Sequence, residues 1–202
     1  MPPCAVMSMQ YFSVPTEDSE GEGDQAVMVP MIVRKLVRNS PERARRLRKH
    51  LVQALRALRT MKDPVGNASP LRPAPEGFAA KVTKTACTMC RGYCCKGGGE
   101  HAYLDERVMA RVRLAQPELD ARAVLRLYLD SVPEVGYDGT CLFHGEKGCT
   151  LDRSLRSDVC NSYFCDMLGE FVKKADKATS AIVMAGEGDI SRMSHVLTPD
   201  RK

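Results

Sequence analysis

Eight cysteines fall between residues 87 and 165 of this 202-residue chain, and only Cys4 lies outside that window. Four of them sit in one short stretch, at Cys87, Cys90, Cys94 and Cys95, and the others are Cys141, Cys149, Cys160 and Cys165. The C-x-x-C spacing of Cys87 and Cys90 lets two sulfurs turn toward one ion, and thiolates hold zinc, or iron in a sulfide cluster. Neighbouring side chains diverge along an extended backbone, so Cys94 and Cys95 are expected to serve different sites. The competing reading is a disulfide framework, which belongs to short secreted chains. Residues 1–33 contain no Lys or Arg and carry five acids, a pattern that suits neither a secretory leader nor a transit peptide. The longest apolar run, 26–33, is interrupted by Pro30 and is too short to span a bilayer. The sequence therefore predicts a cytoplasmic, reducing location, no transmembrane segment, and metal ligation by all eight clustered cysteines.

Trp is absent and aromatic residues are 5% of the chain, which limits the core it can build. Small domains short of core often use metal instead. The charge is segregated. Residues 34–62 hold eleven Lys/Arg against Glu42 alone, while 63–202 is balanced at nineteen of each sign. The predicted organisation is a disordered acidic tail (1–33), a basic amphipathic helix (34–62), a Pro-rich linker (63–86), a cysteine-cluster metal-binding domain (87–183) and a loose C-terminal tail (184–202). The expected fold class is α plus irregular, a small metal-stabilised domain with a few helices and one short β-hairpin, preceded by the basic helix.

That helix is the clearest local element. Ser40 can cap it and Pro41 suits its first position. Ala44, Leu47, Leu51, Ala54, Leu58 and Met61 form a 3-4-3-4-3 seam that Leu55 widens. The other faces, from Arg43 to Arg59, offer a surface for an acidic partner, nucleic acid or an anionic membrane. The plainer expectation is a solvated face behind a packed seam. No aromatic residue interleaves the arginines, which disfavours stacking on single strands.

Further on, Gly97-Gly98-Gly99 beside the thiolates allows close passage of the backbone, and amide-to-sulfur hydrogen bonds tune such sites. Glu100, His101 and His144 are expected to be surface residues rather than additional ligands. Helices are predicted at 105–115, from Pro117 to about 132, and over 166–175. Residues 140–143 and 149–151 read as strands of a hairpin joined by a five-residue loop, 144–148.

The ordered set of eight resembles the YkgJ-type cysteine-cluster family, a zinc- or iron-chelating domain with a CxxCxxCC signature. The resemblance covers about residues 87–166. Cys87, Cys90, Cys94 and Cys95 match the opening cluster. Cys141-Leu142-Phe143 and Cys149-Thr150-Leu151 match its central pair, and Arg156 to Cys165 its closing segment. One extra residue separates Cys90 from Cys94, the interval from Cys149 to Arg156 is longer by one, Ser157 stands where the family has Pro, and Asn161 where it has Arg. The resemblance implies metal binding.

Two Cys4 tetrahedra, the closed geometry of structural zinc, would use all eight thiolates. The alternatives are an iron–sulfur protein with a redox or enzyme-assisting role, and an interaction protein acting through the basic helix. No general base is placed beside a candidate nucleophile, so the sequence points to binding rather than catalysis.

Overall fold

The computed structural model describes residues 23–200. The acidic stretch before them and Cys4 lie outside the described residues. Among those residues are six α-helices, a three-stranded mixed sheet and two small two-stranded sheets, a mixed α/β arrangement. The elements are β1 (Gly23–Pro30), β2 (Leu36–Arg38), α1 (Pro41–Thr60), α2 (Gly77–Cys90), α3 (Glu106–Ala115), α4 (Ala121–Asp130), β3 (Val135–Tyr137), β4 (His144–Gly145), β5 (Gly148–Cys149), α5 (Asp158–Ser162), α6 (Asp166–Lys174), β6 (Ala178–Glu187) and β7 (Ile190–Met193). No helix among the described residues is long and apolar enough to cross a membrane.

The side chains bury themselves in two cores. The first is helical. Leu47, Leu51, Ala54 and Leu55 of α1 pack against Val108, Met109 and Val112 of α3 and Val124 and Tyr128 of α4. Leu104, Leu142, Phe143, Leu151 and Leu155 complete it from the intervening loops. The caps follow the residue types. Ser40, Asp105 and Asp120 each accept a hydrogen bond from the amide three residues on, which satisfies a donor the helix cannot. Tyr128 is fully buried, and its hydroxyl donates to the Leu155 carbonyl at 2.9 Å, so its polar end is not stranded.

The second core is built on the sheet. β1 pairs in parallel with β6, from Gly23 opposite Ala178 to Pro30 opposite Gly186, and β7 closes β6 as an antiparallel hairpin. Val27 and Val29, with Ala181, Val183 and Ala185, face inward on alternate positions, as the two-residue period of a strand requires. Val82, Ala86 and Cys90 of α2 and Leu168 and Phe171 of α6 cover that face.

Three expected boundaries are corrected here. Residues 23–30, assigned to the tail, form β1, and Met31 and Ile32 after it are buried. The stretch 63–86, assigned to a linker, ends in the first ten residues of α2, because its prolines (64, 70, 73, 75) all precede Gly77 and leave an Ala- and Thr-rich run free to coil. Residues 184–202 are not loose as far as they are described. β7 pairs with β6, and Leu197 is buried and exchanges two 2.8 Å backbone bonds with Ala181.

Candidate metal centre

The cysteines lie where the two cores meet. Cys90 and Cys165 pack with the sheet core, while Cys95, Cys141 and Cys149 pack with the helical one. α2 carries Cys87 and Cys90 on its last turn, one residue pair i, i+3 on a common face. It ends on Arg91 and Gly92, both in the left-handed region at φ 54° and 73°, and this reverses the chain into a 3-10 turn, Tyr93–Gly97, that holds Cys94 and Cys95. The turn is fastened to the second cysteine segment. The Cys141 amide donates to the Cys95 carbonyl and the Leu142 amide to that of Gly99, both at 2.8 Å. On the other side the Ile32 amide donates to the Cys90 carbonyl at 3.0 Å.

Two glycines are required by close approach. A Cβ on Gly92 would stand 2.6 Å from His144 Nε2 and 3.2 Å from Cys95 Sγ, and one on Gly98 would stand 3.0 Å from Cys141 Sγ. Sulfur and backbone are thus brought together as the glycine run suggested.

The electrostatic neighbours of the thiols form two overlapping groups joined by Cys94, which bears on Cys95 and Cys160 as well as on Cys87 and Cys90. Charge on Cys94, Cys90 and Cys165 bears on Cys87, and Cys94 and Cys165 bear on Cys90. Cys141 and Cys149 bear on Cys95, and Cys149 and Cys160 bear on Cys141. Cys160 stands between the sets, with Cys149 and Cys94 both beside it. Cys94 and Cys95, expected to diverge into different sites, instead meet through a sulfur–sulfur hydrogen bond that lowers the pKa of the first and raises that of the second. Burial pushes Cys87 and Cys141 up to about 12 and raises Cys90, Cys160 and Cys165. Amides oppose it: Tyr93 N–H donates to Cys90 Sγ at 3.2 Å, and the Phe143 and Leu168 amides favour thiolate at Cys141 and Cys165.

Six of the eight cysteines, all but Cys90 and Cys165, border one open cleft of about 1120 Å³. Arg91, Lys96, Lys147, Arg153, Arg156 and Arg192 line it, against the single carboxylate of Glu146. Metal bound by four thiolates keeps a net negative charge, and a cationic wall offsets it. The donor chemistry, the amide-to-sulfur contacts and the two glycine cradles fit a thiolate-held metal. Among the described residues no three Cys, His, Asp or Glu side chains converge as an ion site. All eight cysteines are free thiols, so no disulfide framework is formed among them.

The three expected surface residues divide. Glu100 accepts from Arg43 Nε at 3.1 Å and from Arg46 Nη2 at 2.9 Å, and these guanidinium groups hold its carboxyl below the usual range. His101 is exposed, and its Nδ1 accepts from the Tyr103 amide at 3.0 Å. His144 is a correction. It is buried at 1% exposure in the cleft wall, and desolvation holds its pKa down. The expected five-residue hairpin loop is in fact a tight turn, with His144 in β4 directly opposite Cys149 in β5. Its flanking Leu142 and Phe143, both fully buried, were the available signal.

The basic helix is not one uniform face. Arg43 turns inward, bonding Asn39, Glu100 and the Thr140 carbonyl beside Cys141. Arg48, Lys49, Arg56 and Arg59 are exposed. No family profile, curated protein or solved structure matches the chain.

Proposed function

We propose that the protein is a metal-binding module in which thiolates hold two ions, zinc in a largely structural role. Cys87, Cys90, Cys94 and Cys165 form one donor set. Cys95, Cys141 and Cys149 form the other, with Cys160 next to both. The observation that carries this reading is that five of the eight free thiols divide between the two cores at their junction, Cys90 and Cys165 against the sheet and Cys95, Cys141 and Cys149 against the helices. Metal at that junction ties α2 and α6 to the 92–99 turn and the β4–β5 hairpin, which no disulfide does. Metal analysis and an optical spectrum on protein purified without oxygen test it. Colourless protein with two equivalents of zinc is the expected result. A brown protein releasing acid-labile sulfide would establish the iron–sulfur alternative, for which the amide-to-sulfur bonds and open cleft are equally suited. Colourless, metal-free protein that takes up neither ion would overturn both.

A second reading concerns the outer face of α1. Arg48, Lys49, Arg56 and Arg59 are exposed without an ion-pair partner among the described residues, and no large apolar residue is exposed beside them on the helix. That composition suits phosphate contacts from duplex nucleic acid better than insertion into lipid. The expected result is duplex DNA binding that weakens steeply with salt, with a shallower slope in a variant carrying Gln at these four positions. Absence of binding at low salt would leave the face as solvated surface.

A further inference from the structure

We propose that His144 supplies a nitrogen ligand, Nε2, to the metal of the Cys95–Cys141–Cys149 set, making that centre a mixed sulfur–nitrogen site. The inference rests on the metal-binding reading above and adds a donor that the cysteine pattern does not contain.

A hydrogen-bond relay bears on the tautomer of His144. Thr140 Oγ1 lies 2.7 Å from the Tyr137 carbonyl, and a carbonyl can only accept, so the single hydroxyl proton is spent there. His144 Nδ1 lies 3.1 Å from the same Oγ1, which is then left as an acceptor. In that arrangement Nδ1 carries the ring proton, and Nε2 presents a lone pair. Metal-ligating histidines are oriented by such a bond from the far ring nitrogen. The Tyr137 ring, its centroid 4.9 Å away, holds the imidazole plane.

Nε2 is buried and has no hydrogen-bond partner. The Arg91 carbonyl is the other polar group beside the ring. In the opposite tautomer Nε2 would donate to it, with the Thr140 hydroxyl turned to Nδ1 and the Tyr137 carbonyl left to the Thr140 amide at 3.3 Å. A metal ion instead satisfies the lone pair of the first tautomer.

The four residues are neighbours that metal would draw together, since among the described residues they do not yet converge as an ion site. Nε2 and Cys95 Sγ both lie within 3.2 Å of the point a Gly92 Cβ would occupy. His144 and Cys149 are directly opposed across β4 and β5, so their side chains leave the hairpin on one face. Cys141 is three residues earlier, and all four residues line the cleft. Cys160, beside Cys94 as well as Cys149, is the thiol least committed to this set. Three cysteines and one histidine complete a tetrahedral zinc site.

The test is histidine ¹⁵N NMR on the full chain, reduced and without oxygen, before and after two equivalents of zinc. Of the four histidines, only His144 is expected to show a protonated Nδ1 in both states and an Nε2 resonance that moves on zinc addition. In the cobalt-substituted protein, His144→Gln should shift the ligand-field bands of one centre and leave the other unchanged. Thr140→Val, which removes only the relay, should weaken zinc binding at that centre by roughly 10–100-fold. Zinc uptake with unchanged His144 nitrogen resonances would overturn the proposal while leaving the metal-binding reading intact. Failure of the parent protein to take up any metal would overturn both. Because the NMR arm uses the parent chain, misfolding of a variant cannot decide the matter.

Discussion

The two cores of this protein are made of different material. The helical one buries Leu47, Leu51, Leu104, Met109, Tyr128 and Phe143, large side chains drawn mainly from a continuous stretch of chain. The sheet core is lined by Ala178, Ala181, Val183 and Ala185 with two valines from β1, and its central pairing joins segments about 150 residues apart. Apolar burial stabilises in proportion to area, so the first core is the stronger for its size. Closing a long loop for a parallel pair carries an entropy cost that the small side chains of the second do little to offset. The cysteines on α2 and α6 lie on this weaker side. In our account metal supplies there what packing supplies on the other.

Removing metal is the sharpest way to break that comparison. Structural zinc contributes on the order of 10 kcal/mol of apparent binding free energy, comparable to the whole stability of a small domain. After chelation, amide exchange is expected to accelerate most in β1, β6, β7 and α6. Protection should persist in α1, α3 and α4. Equal loss in both halves would show that the helical core does not stand by itself. Cys90→Ser should have the same polarity, with one of two metals lost and the sheet half made protease-sensitive. Cys95→Ser should lose the other metal and loosen residues 92–99 first. Cys4→Ser should change neither metal content nor folding.

Core truncations should then separate the halves by size. Leu51→Ala is expected to cost about 2–5 kcal/mol with or without metal, since it leaves a cavity among the helices. Val183→Ala removes two methylene equivalents and should cost about 2 kcal/mol. Its effect should be masked in the metal-free protein if the sheet half is already open. Chemical denaturation in both states measures this.

A smaller effect comes from pH. Burial raises the folded-state pKa of Cys87 and Cys141 to about 12. A raised pKa gives stability that is complete below the unfolded value, about 8.5 for a thiol, and is lost as pH climbs toward the folded one. The metal-free, reduced protein is therefore expected to melt at lower temperature as pH rises from 8 to 10. The loaded protein should show the opposite tendency at low pH, because metal binding requires thiolate and protons compete for it. A metal-free melting temperature that is flat across this window would contradict the desolvation of these thiols, of which Cys141 is the buried one.

The same contrast explains what could be read from the sequence. The helical half announces itself locally: the α1 seam, the Ser40 cap and the Asp105 cap all follow from residue order. The sheet half does not. Nothing near Val27 indicates that it will lie beside Val183, and Pro30, acceptable at the end of an edge strand, reads locally as a break. The contact between the Cys94 and Cys95 sulfurs was not legible, because side chains diverge along an extended backbone and these two sit in a 3-10 turn. Nor was the burial of His144, because it depends on the hairpin loop being three residues shorter than its glycines suggested and on Gly92 arriving from another segment.

Native mass spectrometry of the full chain, reduced and titrated with zinc, tests the central claim most directly. Two cysteine sets at one junction predict saturation at two zinc ions per chain, falling to one in Cys90→Ser and to one in Cys95→Ser. Saturation at a single ion, or two ions retained in both variants, would contradict the account.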